Sequence, residues 1–369
     1  MRKLTAIGNY IFAGGFTLGV EKYFEVLAHL EDGNFGTKTA QHNWPHLTIE
    51  TDRALWESQA KSVLDKCPLD LLYCNPPCAA WSKAGTFVQK GRHAYKDAGH
   101  YTSCTDNALA LALALRPKIW VWESVPQAWE YGREFVNGVA NQLMSEGYSV
   151  TLFFTDLRLH GCPQARPRFH LIAHKVHLDE EAFSFTAKPA ENVSRFLTKS
   201  GVKAVSVSPI SDLRKKQVMA MQAEKKTGSL RQFVDRMTGG EYKMRKTSTG
   251  REYREGRPPF LVKLVKGDGV CETVTGGANL IHPKFPRYLS VEEQQILGGW
   301  PLSFKFQGSV NTQYAELGKA VQPATGTYVA KLCADSIKAG RRVKEPYYAI
   351  LDYRPLVKGK ELVYERITL

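Results

Sequence analysis

The feature that most constrains this chain is the alternation of strand-like apolar runs and helix-like stretches through its first 175 residues. Residues 10–13 form a short apolar run ending in glycines, 24–30 read as a second strand, and 70–74 as a third that runs into prolines. Residues 106–115 predict a helix, 118–122 a strand, 134–146 a helix, 149–155 a strand and 168–173 another strand. Such alternation specifies an α/β fold built on a parallel, doubly wound sheet. Ligands in these sheets bind beyond the carboxyl ends of the strands, so reactive residues are expected immediately after strands.

The alternation stops near residue 176. Residues 176–272 are polar, basic and irregular, with Gly239-Gly240 and Gly256-Arg257-Pro258-Pro259 marking turns, as expected of an inserted module. Helices are predicted again over 291–297 and 325–338, and 347–369 read as a hairpin or edge strands turning at Lys358-Gly359-Lys360. The expected division is therefore 1–175, 176–272, a return over 273–340 and an extension over 341–369. Charge follows the same division. Of the formal net charge of +14, nearly all falls between residues 195 and 266, where 18 Lys and Arg face 6 Asp and Glu. These cations are interleaved with Phe233, Tyr242, Tyr253 and Phe260, a pattern suited to meeting phosphates and stacking on bases. A solvated face kept soluble by its charge reads the same way.

Hydrophobic residues at 43% and charged residues at 23% exclude a largely disordered chain. The longest apolar stretch, 108–115, stops at Arg116-Pro117, short of the roughly 18 residues of a membrane span. Met1-Arg2-Lys3-Leu4 lacks the apolar segment of a secretory signal, so a soluble, cytoplasmic protein with reduced cysteines is expected. The seven cysteines offer no C-x-x-C pair for zinc. No metal site is predicted, and the reading is buried thiols with one reactive cysteine among them.

Three elements carry candidate chemistry. Residues 70–78 are a strand running through Asn75-Pro76-Pro77 to Cys78, which puts a thiol on rigid backbone at a strand end. There it can attack an electrophilic carbon if nearby positive charge favours the thiolate, or it can be a buried cysteine beside a turn. Trp120-Val121-Trp122-Glu123 places an acid at the next strand end; desolvated by tryptophan, Glu123 can hold its proton and act as a general acid, or simply start a helix. Gln164-Ala165-Arg166-Pro167-Arg168 puts two arginines at alternate positions entering a strand and therefore on one face, able to bind a carbonyl oxygen or phosphate, or to form surface ion pairs.

In this order the three elements resemble the DNA cytosine carbon-5 methyltransferase family, whose fold is a Rossmann-like class I methyltransferase sheet with a smaller inserted recognition domain. The resemblance extends over most of the chain. Phe12-Ala13-Gly14-Gly15-Phe16 looks like the family's glycine-rich donor loop, Glu31 like the acid that holds the ribose hydroxyls, and Asp52 like the residue that meets the adenine. Asn75 joins this cofactor-binding set. Thr273-Val274-Thr275-Gly276-Gly277, the stretch from Arg287 to Pro301, and Gly318-Lys319-Ala320-Val321-Gln322-Pro323 resemble the return from the recognition domain and the last motif. The basic region then falls where the family reads its target.

The resemblance implies S-adenosylmethionine as donor and double-stranded DNA as partner, with a monomer expected and a nuclease partner left open. It also implies a mechanism. The Cys78 thiolate adds to carbon 6 of a flipped cytosine while Glu123 protonates nitrogen 3, and carbon 5 attacks the donor carbon. Arg168, helped by Arg166, holds the ring carbonyl. The chain departs from the family in three places: the donor loop is two residues shorter, Ala79 stands where glutamine is usual, and Lys319 replaces an asparagine close to the donor. An ammonium about 5 Å from a sulfonium is repelled by roughly 3 kcal/mol at an effective dielectric near 20. Lys319 is therefore expected to point to solvent, to pair with an acid such as Glu316, or to meet a carboxylate carried by the donor. In the last case the donor is carboxy-S-adenosylmethionine and the product 5-carboxymethylcytosine. Asn75-Pro76-Pro77 also begins the motif of exocyclic-amine DNA methyltransferases, and the shortened loop suits a non-catalytic DNA-binding relative. RNA is a further substrate compatible with the fold.

Overall fold

The computed structural model describes residues 2–33, 35–64, 67–82, 99–178, 190–248, 250, 252–259, 261–354, 356–358, 361–363 and 367–368. Phe260 and the Gly359-Lys360 part of the expected turn lie outside them. One large sheet dominates. Its strands are β1 (Thr5–Asn9), β2 (Glu25–Leu30), β3 (Thr48–Glu50), β4 (Leu71–Cys74), β5 (Ile119–Ser124) and β6 (Ser149–Asp156), followed, after the short β7 (Gln164–Ala165) outside the sheet, by β8 (Pro167–His174). Across the sheet the order is β3-β2-β1-β4-β5-β8-β6, continued by Tyr348–Asp352 and Ile367–Thr368.

The strands from β3 to β5 are mutually parallel. Leu-Leu-Tyr-Cys of β4 and Ile-Trp-Val-Trp-Glu-Ser of β5 are buried at every position, as strands covered on both faces must be. β8 corrects the expectation of a parallel sheet, because it runs antiparallel between β5 and β6. The reason is the short link between β6 and β8. It holds one 3-10 turn (Leu157–Leu159) and β7, whereas a parallel crossover needs a dozen or more residues, usually a helix.

The first strand is also displaced from its expected position. β1 is the buried Thr5–Asn9, and residues 10–13 form the turn that follows, where Tyr10 and Phe12 adopt φ of +50° and end the extended chain. Helices α1 (Gly15–Val20), α2 (Thr37–Asn43), α3 (Trp56–Leu64), α4 (Gly99–Leu115) and α5 (Gln127–Ser145) connect the strands.

The basic region is more regular than its sequence suggests. It contains α6 (Val193–Ser200), α7 (Asp212–Ala223) and α8 (Leu230–Met237), each started by a side-chain cap: Asn192, Ser211 and Ser229 accept from the backbone N–H three residues on. Val218, Met221, Leu230, Phe233, Leu264 and Ile281 form a small apolar core of its own. Phe233 thus lies inside. Tyr242 is half-buried and donates to Asp235 Oδ1 (2.6 Å), so of the aromatics expected to face bases, Tyr253 is the exposed one among the described residues. It lies on a ribbon, Met244–Lys246 against Glu252–Arg254, exposed at every position.

The return runs through α9 (Val291–Leu297), begun by a Ser290/Glu293 capping box, then α10 (Val310–Lys319) and α11 (Pro323–Ala339). α11 starts on proline, ends at Gly340 in the left-handed region, and packs along α1. The 347–369 segment forms the edge strands expected of it: Tyr348–Asp352 pairs parallel to β6 and Ile367–Thr368 antiparallel to Tyr348–Asp352. Among the described residues, no helix is long and apolar enough to cross a membrane.

Candidate active site

The carboxyl ends of β1, β2, β4 and β5 open onto one edge of the sheet, and the predicted residues gather there. The turn after β1 is tightly constrained. Gly14 has φ +88°, and a Cβ on it would come within 2.3 Å of the Trp44 ring. A Cβ on Gly15 would come within 2.0 Å of the Val321 carbonyl oxygen, because the last motif lies directly against this turn. Ala13 and Phe16 are buried beneath it.

Glu31, the first residue beyond β2, is 3% exposed and binds that turn with one oxygen and its own chain with the other. Oε2 accepts from the Phe12 N–H (2.8 Å) and Oε1 from the Asp32 N–H (2.9 Å). Burial pushes its pKa up to about 8 against these two bonds. An ionised carboxylate has about four acceptor positions, so two remain for the hydroxyls of a ribose. Asp52, beyond β3, is exposed and accepts from the Ala54 N–H (3.0 Å). Phe12 packs edge-on against Phe35 (5.8 Å between centroids), and the Lys319 Nζ lies over the Phe35 ring, 4.0 Å from its centroid. Glu316 does not pair with Lys319; it accepts from Thr39 Oγ1 (2.7 Å). Among the described residues no carboxylate forms an ion pair with the Lys319 ammonium. This turn, acid and aromatic wall fit a nucleoside-bearing donor.

Beyond β4 the chain passes through Asn75 and two prolines to Cys78, whose carbonyl accepts from the Trp81 and Ser82 N–H groups (both 3.0 Å). Trp81 is buried and packs on Phe135 of α5, anchoring the turn. Cys78 is partly exposed, while Cys74, Cys104, Cys162, Cys271 and Cys333 are buried and Cys67 is exposed. Glu123, near the end of β5, is buried and has a partner on each oxygen: Arg168 Nε on Oε1 (2.9 Å) and Asn75 Nδ2 on Oε2 (2.5 Å). Burial raises the Glu123 pKa, opposed by Arg168 and Arg166. Burial likewise raises the Cys78 thiol, with Arg168 and Arg166 lowering it and Glu123 raising it further. The thiol thus feels the charges of Glu123, Arg166 and Arg168, and Glu123 those of the two arginines.

The two arginines have different partners. Arg168 faces Glu123, whereas Arg166, 3% exposed, donates to the carbonyls of Val274 (2.9 Å), Gly318 (2.9 Å) and Ala320 (2.9 Å). Gln164 acts alongside it, donating to the Leu297 carbonyl (3.1 Å) and accepting from the Val274 N–H (3.1 Å). The face of alternate residues 164, 166 and 168 therefore clasps the returning chain with its first two members and reaches the acid with its third. Sequence reasoning missed the clasp. The signal that could have found it is the Gln164 in register with both arginines.

A sheet of order 3-2-1-4-5 with an antiparallel strand ahead of its next member and an acid after β2 is the arrangement of the Rossmann-like class I methyltransferases. The C-5 cytosine-specific DNA methylase family matches residues 11–335, and the chain belongs to that family. The family implies S-adenosylmethionine as donor and DNA as substrate. The chain is 24% identical over 328 residues to the type II methyltransferase M.HgiDI of Herpetosiphon aurantiacus, covering 86% of this chain and 90% of that protein. Among solved structures, it superposes with a TM-score of 0.64 at 19% identity on a chain described as a DNA modification methyltransferase encoded within an E. coli prophage, covering 91% of this chain and 99% of that one. The Entamoeba histolytica methyltransferase EhMeth superposes with a TM-score of 0.61 at 15% identity, covering 91% and 99%.

Proposed function

We propose that this chain acts as a monomer on double-stranded DNA, flipping a cytosine into the pocket formed by Cys78, Glu123 and Arg168 and alkylating its carbon 5. The observation that supports this reading is the largely buried Arg168–Glu123 ion pair (2.9 Å) where β5 ends and β8 begins, close enough to the Cys78 thiol for both charges to act on it. The donor supplies an electrophilic carbon on a sulfonium centre when bound; Glu31 and the turn carrying Phe12, Ala13, Gly14 and Gly15 would hold its nucleoside, with Asp52 at the adenine edge.

Carbon 5 of cytosine is a poor nucleophile until the ring's aromaticity is broken. The Cys78 sulfur bonds to carbon 6 while the proton on Glu123 passes to nitrogen 3, which makes carbon 5 an enamine carbon. Protonation of Glu123, which otherwise pairs with Arg168, prepares both events: it removes the upward push on the thiol pKa and leaves Arg168 and Arg166 to stabilise the thiolate before the proton passes on. Arg168 holds the ring carbonyl, and Arg166 keeps Gly318 and Ala320 in place behind it. Carbon 5 would then take the electrophilic carbon, leaving the donor as a neutral thioether; loss of the carbon-5 proton to water expels the Cys78 thiolate from carbon 6, and the nitrogen-3 proton returns to Glu123. Residues 176–272 act as the target-recognition domain, with its cations on the phosphates of the opened duplex.

Duplex DNA containing 5-fluorocytosine tests this reading, because fluorine cannot leave as a cation and the adduct persists. Wild type is expected to form a covalent complex of chain and DNA in the presence of donor, and Cys78→Ser none. Absence of a wild-type complex would overturn the reading in favour of a DNA-binding relative or an amine methyltransferase.

The Lys319 ammonium over Phe35, with no carboxylate partner among the described residues, supports a second, finer reading: a donor with a carboxylate on its transferable carbon, giving 5-carboxymethylcytosine. Nucleosides from reactions with each donor, separated by mass, test it. The carboxymethyl product is expected from wild type and lost in Lys319→Asn; 5-methylcytosine alone, at equal rates from both proteins, would remove it.

A further inference from the structure

Asn75 lies one residue beyond β4, and the two ends of its buried amide are unequally served. Nδ2 donates to Glu123 Oε2 (2.5 Å), whereas Oδ1 is buried with no hydrogen-bond partner among the described residues. Charge sets this orientation. Turning the amide over would press Oδ1 against a carboxylate oxygen, and the other oxygen of Glu123 is already held by Arg168. An orphaned acceptor is thereby fixed beside the acid.

Buried acceptors without donors are rare and costly, and a donor delivered with a ligand relieves the cost. Arg168 occupies Oε1, so a proton bound for the substrate sits on Oε2, which can accept from the Asn75 amide while its O–H donates to the ring. On the edge of cytosine the atom next to nitrogen 3 is the exocyclic amine, a donor. We propose that Asn75 Oδ1 accepts a hydrogen bond from that amine, so that Glu123 and Asn75 together read the edge of the flipped base. Uracil and thymine present a carbonyl there, and acceptor would face acceptor. Asn75 thus selects the base. This inference rests on the flipped-cytosine reading above and adds a residue to it.

The test compares covalent trapping on duplexes carrying 5-fluorocytosine or 5-fluorouracil at a target position mapped by sequencing modified plasmid. Wild type should favour fluorocytosine by at least about 100-fold, as sites that hydrogen-bond a substrate group do. Asn75→Leu, similar in size and without an acceptor, should cut that preference at least about tenfold while duplex affinity is unchanged. Asn75→Asp retains an acceptor and should keep most of the preference. An undiminished preference in Asn75→Leu, or a loss in Asn75→Asp equal to that in Asn75→Leu, would overturn the assignment while leaving the cytosine reading intact. Failure of wild type to trap fluorocytosine at all would overturn both.

Discussion

Glu31 must be ionised to accept from two ribose hydroxyls, yet burial holds it protonated up to about pH 8. Donor binding should therefore lower its pKa and expel a proton. Affinity for S-adenosylmethionine is expected to rise with pH toward about 8 and then level off, and calorimetry in buffers of different ionisation enthalpy should register the released proton. Glu31→Gln should abolish that release and weaken binding. The same shift makes the free fold bind more protons than the unfolded chain between the ordinary carboxyl value and about 8, so its stability falls as pH rises through that window. Cys78 and Glu123 give a paired prediction. Removing the charge of Glu123 by Glu123→Gln takes away a group that raises the thiol pKa, so iodoacetamide should alkylate Cys78 faster at neutral to mildly alkaline pH. The same variant lacks the proton donor, and DNA adduct formation should fall by about 10² to 10⁴. Opposite signs in the two assays separate acid catalysis from mere disturbance of the pocket.

At the scale of elements, Arg166 joins β8 to the return and to the last motif through three carbonyls, two of them in buried hydrogen bonds. Arg166→Met fills the volume but leaves those oxygens unpaired, and should cost about 3 kcal/mol in chemical denaturation. Arg166→Lys should recover little, since an ammonium cannot fork to three carbonyls fixed by a guanidinium plane. The sequence made some of this architecture readable and concealed the rest for identifiable reasons. β4 and β5 were legible because strands buried on both faces are continuous apolar runs. β1 was not, because Thr, Gly and Asn interrupt it while the turn after it carries the bulk of Tyr10, Ile11 and Phe12. The antiparallel course of β8 was implicit in the missing helix between 155 and 168. α7 was hidden by its lysines, and its Ser211 cap is a signal that could have found it. The catalytic candidates could be named from their positions after strands, whereas the Asn75 bridge to Glu123 depends on how far apart two neighbouring strand ends lie, which spacing along the chain does not encode.

For the whole molecule, the net positive excess is concentrated in the region that has its own small core, so DNA affinity should depend steeply on salt. Lys225, Lys226 and Lys284 line one cavity of about 390 Å³ in that region. Replacing all three with Gln should reduce the slope of log affinity against log salt by about 0.9 for each phosphate no longer neutralised, with the trapping rate at saturating DNA unchanged. Equal slopes in a fluorescence titration would place the phosphates elsewhere. The close approach of Gly15 to the Val321 carbonyl reaches further still. A polypeptide that ends before Val321 already contains Cys78, Glu123 and Glu31, but lacks the segment that lies directly against the Gly15 turn. Donor binding should therefore wait for the last motif, and a chain cut short before it is expected to retain little affinity for S-adenosylmethionine.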